Sequence, residues 1–161
     1  MFFIDTDKIL TYIDYSPIYK GFNVSEFGKE TREWSKNNAM QRRFNHILHF
    51  VLEGNGIFRR GEKNYNLYPG RAFVITPHDP VSYFPSKDSS YTYCWIAFSG
   101  TDCDSVFNAC GITDDIDVFD FTEESVKRLI EFLNILKNDK EQANDKAFAI
   151  SVYSMAYEVL A

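Results

Sequence analysis

Three rings stand at alternate positions in the stretch Tyr91-Thr92-Tyr93-Cys94-Trp95-Ile96-Ala97-Phe98. In an extended strand, residues two apart share a face. Tyr91, Tyr93, Trp95 and Ala97 therefore point one way, and Thr92, Cys94, Ile96 and Phe98 the other. A face with two phenols and an indole suits a polar, ring-shaped ligand. The rings give a flat apolar wall, and the O–H and N–H groups give directional bonds. Val81 and Tyr83, just upstream, are placed to join that face. Filling of a plain β core uses the same residues, and spacing does not separate the two readings.

Other chemistry is poorly supplied. His46 and His49 lie three apart in an extended run, so they face opposite sides and cannot share a metal ion. His78 sits in a turn, Pro77-His78-Asp79-Pro80. No metal and no cofactor are expected. The chain has no GxSxG, no HExxH and no phosphate loop. Gly54-Asn55-Gly56 reads as a hairpin turn, because no helix follows it. Cys94 lies within a strand and reads as an inert packed thiol. Nothing points to covalent catalysis, and the chain is not expected to be an enzyme.

The elements that must position these residues run from His46 to Gly100. Short apolar runs, HILHFVL, IFRR, NYNLY, AFVIT, VSYF and YTYCWIAF, are each ended by Gly, Pro, Asn or Asp. Evenly spaced short strands of this kind mark a β-sandwich or barrel. On HILHFVL, Ile47, His49 and Val51 share one face, and His46, Leu48 and Phe50 the other. Residues 1–20 read as an arm resting on the body, punctuated by Pro17, with an edge strand as the simpler alternative. Residues 21–30 read as a first barrel strand and 34–40 as a loop. After Gly100 the pattern turns helical. A short helix is expected over 104–110, closed by Gly111. A longer one is expected over 119–138, capped by Asp120 or Thr122, with Val126, Leu129, Ile130, Leu133 and Leu136 on one face. A last helix is expected from Glu141 to the end, with Ala143, Ala147, Ile150, Tyr153 or Ser154, and Tyr157 in register.

At 161 residues the chain can bury a core, and 17% aromatics can fill a barrel or wall a cavity. The net charge of −6 repels phosphate backbones, so this chain is not expected to bind DNA by itself. Three cysteines without close pairs fit a reducing, cytoplasmic compartment. No signal peptide or membrane span is visible. The chain stops at Ala161 inside helix-forming sequence, which leads us to expect a longer polypeptide.

An ordered set of motifs resembles the ligand-binding domain of AraC-type transcription regulators, a cupin-like barrel. It begins with Gly28-Lys29-Glu30 and Arg43, followed by Leu48-His49-Phe50-Val51 and Gly54-Asn55-Gly56. It continues through Tyr65-Asn66-Leu67-Tyr68-Pro69-Gly70, Phe73-Val74-Ile75-Thr76-Pro77 and Tyr83. It closes on Tyr93-Cys94-Trp95-Ile96-Ala97-Phe98-Ser99-Gly100. Gly70-Arg71 stands where the family often has Gly-Asp, and Ser90-Tyr91 where it has Pro-Trp. The resemblance implies a mainly β fold with α: a double-stranded β-helix, or jelly roll, over 21–100, followed by a pair of antiparallel helices within 101–161. The positions closest to cupin metal ligands hold Ile47 and Val81. The implied function is effector sensing, often of a sugar. A small carbohydrate would bind inside the barrel, the arm would close over it, and the C-terminal helices would pair two copies. DNA contact would belong to a helix-turn-helix domain downstream.

On that reading Trp95 stacks on the sugar. Tyr83 and Tyr93 bond its hydroxyls, Arg43 and Glu30 add charged bonds at the rim, and His49 adds a contact from the facing strand. Two other readings remain open. One is a metal-independent cupin enzyme of the sugar isomerase or epimerase type, using His49 with Tyr93 or Glu30. The other is a dimerisation module whose cavity is filled by its own side chains.

Overall fold

A computed structural model describes residues 2–14, 19–36, 38–143 and 145–161. Pro17, expected to end the arm, and Asn37 of the expected loop lie outside the described residues. In chain order the elements are β1 (Phe2–Asp5), β2 (Ile9–Ile13), β3 (Asn23–Glu33), β4 (His46–Gly54), β5 (Gly56–Arg60), β6 (Lys63–Leu67), β7 (Arg71–Ile75), β8 (Val81–Pro85), β9 (Ser90–Ser99), α1 (Cys103–Ala109), β10 (Val118–Asp120), α2 (Glu123–Asn138), α3 (Lys140–Ala143) and α4 (Lys146–Leu160). The strands form two sheets. One has seven strands in the order β1-β2-β3-β9-β4-β7-β10, and the other has three in the order β6-β5-β8. The fold is mainly β with α: a cupin-like barrel followed by helices.

Alternation along the strands creates two cores. Ile47, Val51, Phe58, Phe73, Tyr91 and Tyr93 fill the space between the sheets. Leu48, Phe50, Cys94, Ile96 and Phe98 face outward from the large sheet and pack against α2 and α4 through Leu129, Phe132, Leu133, Val152 and Met155. Burial pushes the Cys94 thiol up to about 12, so it remains protonated and unreactive at neutral pH. Near the N-terminus, β1 and β2 form a hairpin that adds to the edge of β3.

Three local expectations change. Gly54-Asn55-Gly56 is not a hairpin turn: β4 pairs with β7 and β9, whereas β5 pairs with β6 and β8. The three residues turn a corner between sheets. Gly54 has φ +76°, and a Cβ there would stand 2.1 Å from the Ser90 carbonyl oxygen. The long helix begins at Glu123 rather than at 119, because Val118–Asp120 is drawn into a ladder with β7. Asp120 pairs with Arg71, and Thr122 is the cap that accepts from the Ser125 N–H. The last helix is broken, since Asp145 caps a new start by accepting from the Ala147 N–H. A second apolar series, beside the one in register from Ala147 to Tyr157, takes the buried face. Phe148, Val152, Met155 and Val159 lie inward, while Ile150 and Tyr157 are exposed. The sequence carries two apolar series at helical spacing, and the bulkier one takes the sheet.

The α2–α4 pair is antiparallel. Arg128 near the start of α2 reaches Glu158 near the end of α4, and Phe132 and Phe148 meet with centroids 5.0 Å apart.

The corner makes a testable contrast between two left-handed glycines. Gly61 has φ +57° but open space around its Cβ position, so Gly61→Ala costs about 1 kcal/mol. Gly54→Ala adds a backbone collision to the same strain and costs roughly 3 kcal/mol or more. Urea denaturation of the two variants measures the difference, and equal losses would refute the corner constraint.

Candidate functional site

One end of the barrel opens into a cavity of about 680 Å³. Its walls are built from the alternating residues of the large sheet and closed by one strand of the small one. Strand β9 contributes Tyr93 and Trp95, β4 contributes His49, β3 contributes Glu30, and β8 contributes Tyr83 from across the barrel. Arg43 enters from the segment leading into β4. All six residues singled out from sequence thus line one cavity. Ile47 is also in its wall, and Val81 is buried in the same barrel core. Among the described residues, no cluster of three or more His, Cys, Asp or Glu is placed to hold a metal ion.

The indole of Trp95 lies over Gly28, its register partner on β3. A Cβ at residue 28 would come within 2.5 Å of the ring and 2.7 Å of the Leu10 carbonyl oxygen. The glycine of Gly28-Lys29-Glu30 therefore leaves room for the indole. The indole N–H donates to Glu26 Oε1 at 2.8 Å, which fixes the ring plane.

Most of the ring polar groups are already engaged. The Tyr93 hydroxyl donates to Glu30 Oε2 at 2.5 Å. The Tyr83 hydroxyl accepts from Arg43 Nη2 at 2.9 Å and donates to Gln41 Oε1 at 3.3 Å. Each aromatic side chain is thus held in place by a charged or amide partner. The rings are themselves nearly buried, and the carboxylate and guanidinium groups beside them can form the stronger, charge-assisted bonds.

His49 lies deep in the wall, stacked on Phe73 with centroids 4.4 Å apart. It also touches Tyr83, Tyr93 and Trp95. Its Nδ1 is buried without a hydrogen-bond partner. Burial, then the charges of Arg43 and Arg32, hold its pKa well below the ordinary histidine value. The ring is therefore neutral at physiological pH. Burial also raises the Glu26 carboxyl, against the opposing pull of the Trp95 bond and the Arg43 charge.

Glu26 and Arg32 are functional candidates that the sequence reading did not single out. Arg32 donates to Glu30 Oε2 at 3.3 Å and to the Tyr83 carbonyl at 3.2 Å, with its guanidinium over the Tyr83 ring. The signal was present. Glu26, Gly28, Glu30 and Arg32 alternate, so choosing Glu30 for the cavity brings the others with it. Arg42, Asn45 and Asp14 at the mouth had no comparable signal, because the surrounding coil has no periodicity.

The family described as AraC-like ligand binding domain matches residues 23–160. The lactose operon transcription activator of Staphylococcus xylosus is 26% identical over 107 residues, covering 66% of this chain and 38% of that protein. The Msm operon regulatory protein of Streptococcus mutans is 25% identical over 96 residues, covering 55% of this chain and 34% of that protein. The chain thus matches little more than a third of each relative's length. Among solved structures, a cupin-like protein from Thermotoga maritima is similar over 60% of this chain and 71% of its own, with a TM-score of 0.45 and 12% identity. A cupin protein from Bacteroides fragilis is similar over 60% and 80%, with a TM-score of 0.45 and 15% identity.

The buried neutral His49 gives a pH prediction. Its folded pKa lies below its unfolded value of about 6.5. Below that pH the unfolded chain takes up a proton that the folded chain refuses, so stability falls as the pH drops, by up to about 1.4 kcal/mol per pH unit. Chemical denaturation between pH 5 and 7.5 should show this slope in the wild type and a shallower one in His49→Gln. Equal slopes would overturn the assignment. Gly28→Ala should displace the indole, shift Trp95 fluorescence, and cost roughly 1–3 kcal/mol of stability.

Proposed function

The chain belongs to the AraC-like ligand binding domain family, and from that premise we propose that it is the effector sensor of a transcription regulator, with a carbohydrate as its effector. The observation that carries the proposal is the cavity of about 680 Å³, walled by Trp95, Tyr93 and Tyr83 and edged by Glu26, Glu30 and Arg43. An aromatic plane stacks on the C–H face of a sugar ring while carboxylates and guanidinium groups take its hydroxyls. Supporting the choice of ligand, one of the relatives is named for a lactose operon. His49, neutral and stacked in the wall, offers a further polar contact without adding charge.

In this reading residues 21–100 sense the effector, and the arm expected over residues 1–20 is represented by the β1–β2 hairpin on the edge of β3, whose Ile9 lines the cavity. Residues 101–161 pair two copies. One observation supports the pairing: α4 buries its bulky face on the parent sheet and leaves Ile150 and Tyr157, 64% and 55% exposed, along its outer side. The mechanism is linkage. An effector that binds one arm or dimer arrangement better than another shifts their populations, and a separate domain of the same cytoplasmic polypeptide reads the shift at DNA.

A thermal-shift screen against mono- and oligosaccharides tests the sensing. One sugar should raise the melting temperature, Trp95→Ala should abolish the rise, and the sugar should be recovered unchanged. A sugar converted to product would instead favour a metal-independent cupin enzyme. For the pairing, sedimentation should find a dimer that Ile150→Glu with Tyr157→Glu converts to a monomer. A monomeric wild type across the micromolar range would refute it.

A further inference from the structure

A second hollow, of about 340 Å³, adjoins the main cavity. Arg32 and Tyr83 belong to the walls of both. They meet at the seam where β3 of the large sheet passes β8, the edge strand of the small one. No backbone pairing crosses that seam between β3 and β8, so side chains close it. Arg32 does most of this. Its Nη1 reaches the Tyr83 carbonyl at 3.2 Å, and its Nη2 reaches Glu30 at 3.3 Å. Its guanidinium lies 5.1 Å from the centre of the Tyr83 ring and 5.9 Å from that of Tyr93.

We propose that Arg32 sets the length of saccharide the barrel accepts, by closing the passage from the main cavity into the second hollow. The proposal rests on the carbohydrate reading above. Arg32 is fixed there from several sides at once, by the Tyr83 carbonyl, by Glu30 and by the faces of the Tyr83 and Tyr93 rings. Beyond the partition the second hollow presents the polar side chains of Glu33, Ser35, Asn38 and Gln41 beside Phe84. That is a small polar surface with one carboxylate and one further ring, suited to one further sugar unit.

The test is calorimetric titration of two ladders into the wild type and Arg32→Ala. One runs from glucose to maltopentaose, the other from galactose through lactose to longer galacto-oligosaccharides. In the wild type, affinity should stop rising once the main cavity is full. In Arg32→Ala, the affinity of the next longer member relative to the shorter one should rise about tenfold. Arg32→Gln, which keeps a donor for the Tyr83 carbonyl, serves if the alanine variant does not fold, and should give a smaller rise. The same length profile in wild type and variant would overturn the length limit while leaving the sensing intact. No binding of either ladder by either chain would overturn the carbohydrate reading. The partition is then judged by a crystal structure of Arg32→Ala, in which two hollows still separated would overturn it.

Discussion

Strand β9 is covered on both faces, and the rest of the structure follows from how that cover is arranged. It lies between β3 and β4 in the large sheet, and every residue from Tyr91 to Phe98 is buried. A strand in this position has no solvent face, so each of its two side-chain rows needs its own partner layer. The row Tyr91, Tyr93, Trp95 and Ala97 is covered by the small sheet and the cavity, and the row Cys94, Ile96 and Phe98 by the helices. Without α2 and α4 the outer row would be an apolar sheet face in water. The helices are therefore part of the condition for having a barrel with this interior.

The interior also carries charge, and charge in a barrel must be matched. Glu26 answers Trp95, Glu30 answers Tyr93 and Arg32, and Arg43 answers Tyr83. Each pairing couples a titratable group to an aromatic ring, so the rings that a ligand would touch are held by the groups a ligand would bond. A cavity of this kind is pre-organised. Stacking surfaces are fixed before a ligand arrives, and less side-chain freedom is lost on binding. The same construction explains the state of His49. Deep burial, and then two nearby guanidinium groups, disfavour its charged form.

A different device, built on one carboxylate, also joins the sheets. Asp117, just before β10, accepts from Arg60 at 2.5 Å, Tyr65 at 2.5 Å and Lys63 at 3.0 Å, all on the β5–β6 hairpin. Its backbone carbonyl also accepts from the Val74 N–H. The carboxylate is buried, yet its donors hold it below the ordinary aspartate range despite the opposing effect of burial. One side chain thus ties the small sheet to the strand that extends the large one.

The sequence alone determined the strand rhythm, the two faces of residues 91–98, and the opposite facing of His46 and His49. These are period-two facts, and a strand's side chains alternate whatever surrounds it. The ordered motifs carried the barrel, the six cavity residues, and Gly28 beside them. Tertiary structure decided what periodicity leaves degenerate. Both apolar series of α4 have helical spacing, and only contact with the sheet selects Phe148, Val152 and Met155 over Ile150 and Tyr157. Val118–Asp120 has no strong local preference, and the free edge of β7 makes it a strand. Glycines at residues 54 and 56 signal a turn, but whether the chain returns to its own sheet or crosses to the other depends on which edges are open. The bonding of the Tyr83 and Tyr93 hydroxyls likewise came from Arg43 and Glu30. Those partners lie 40 and 63 residues away along the chain, and no local pattern encodes such a distance.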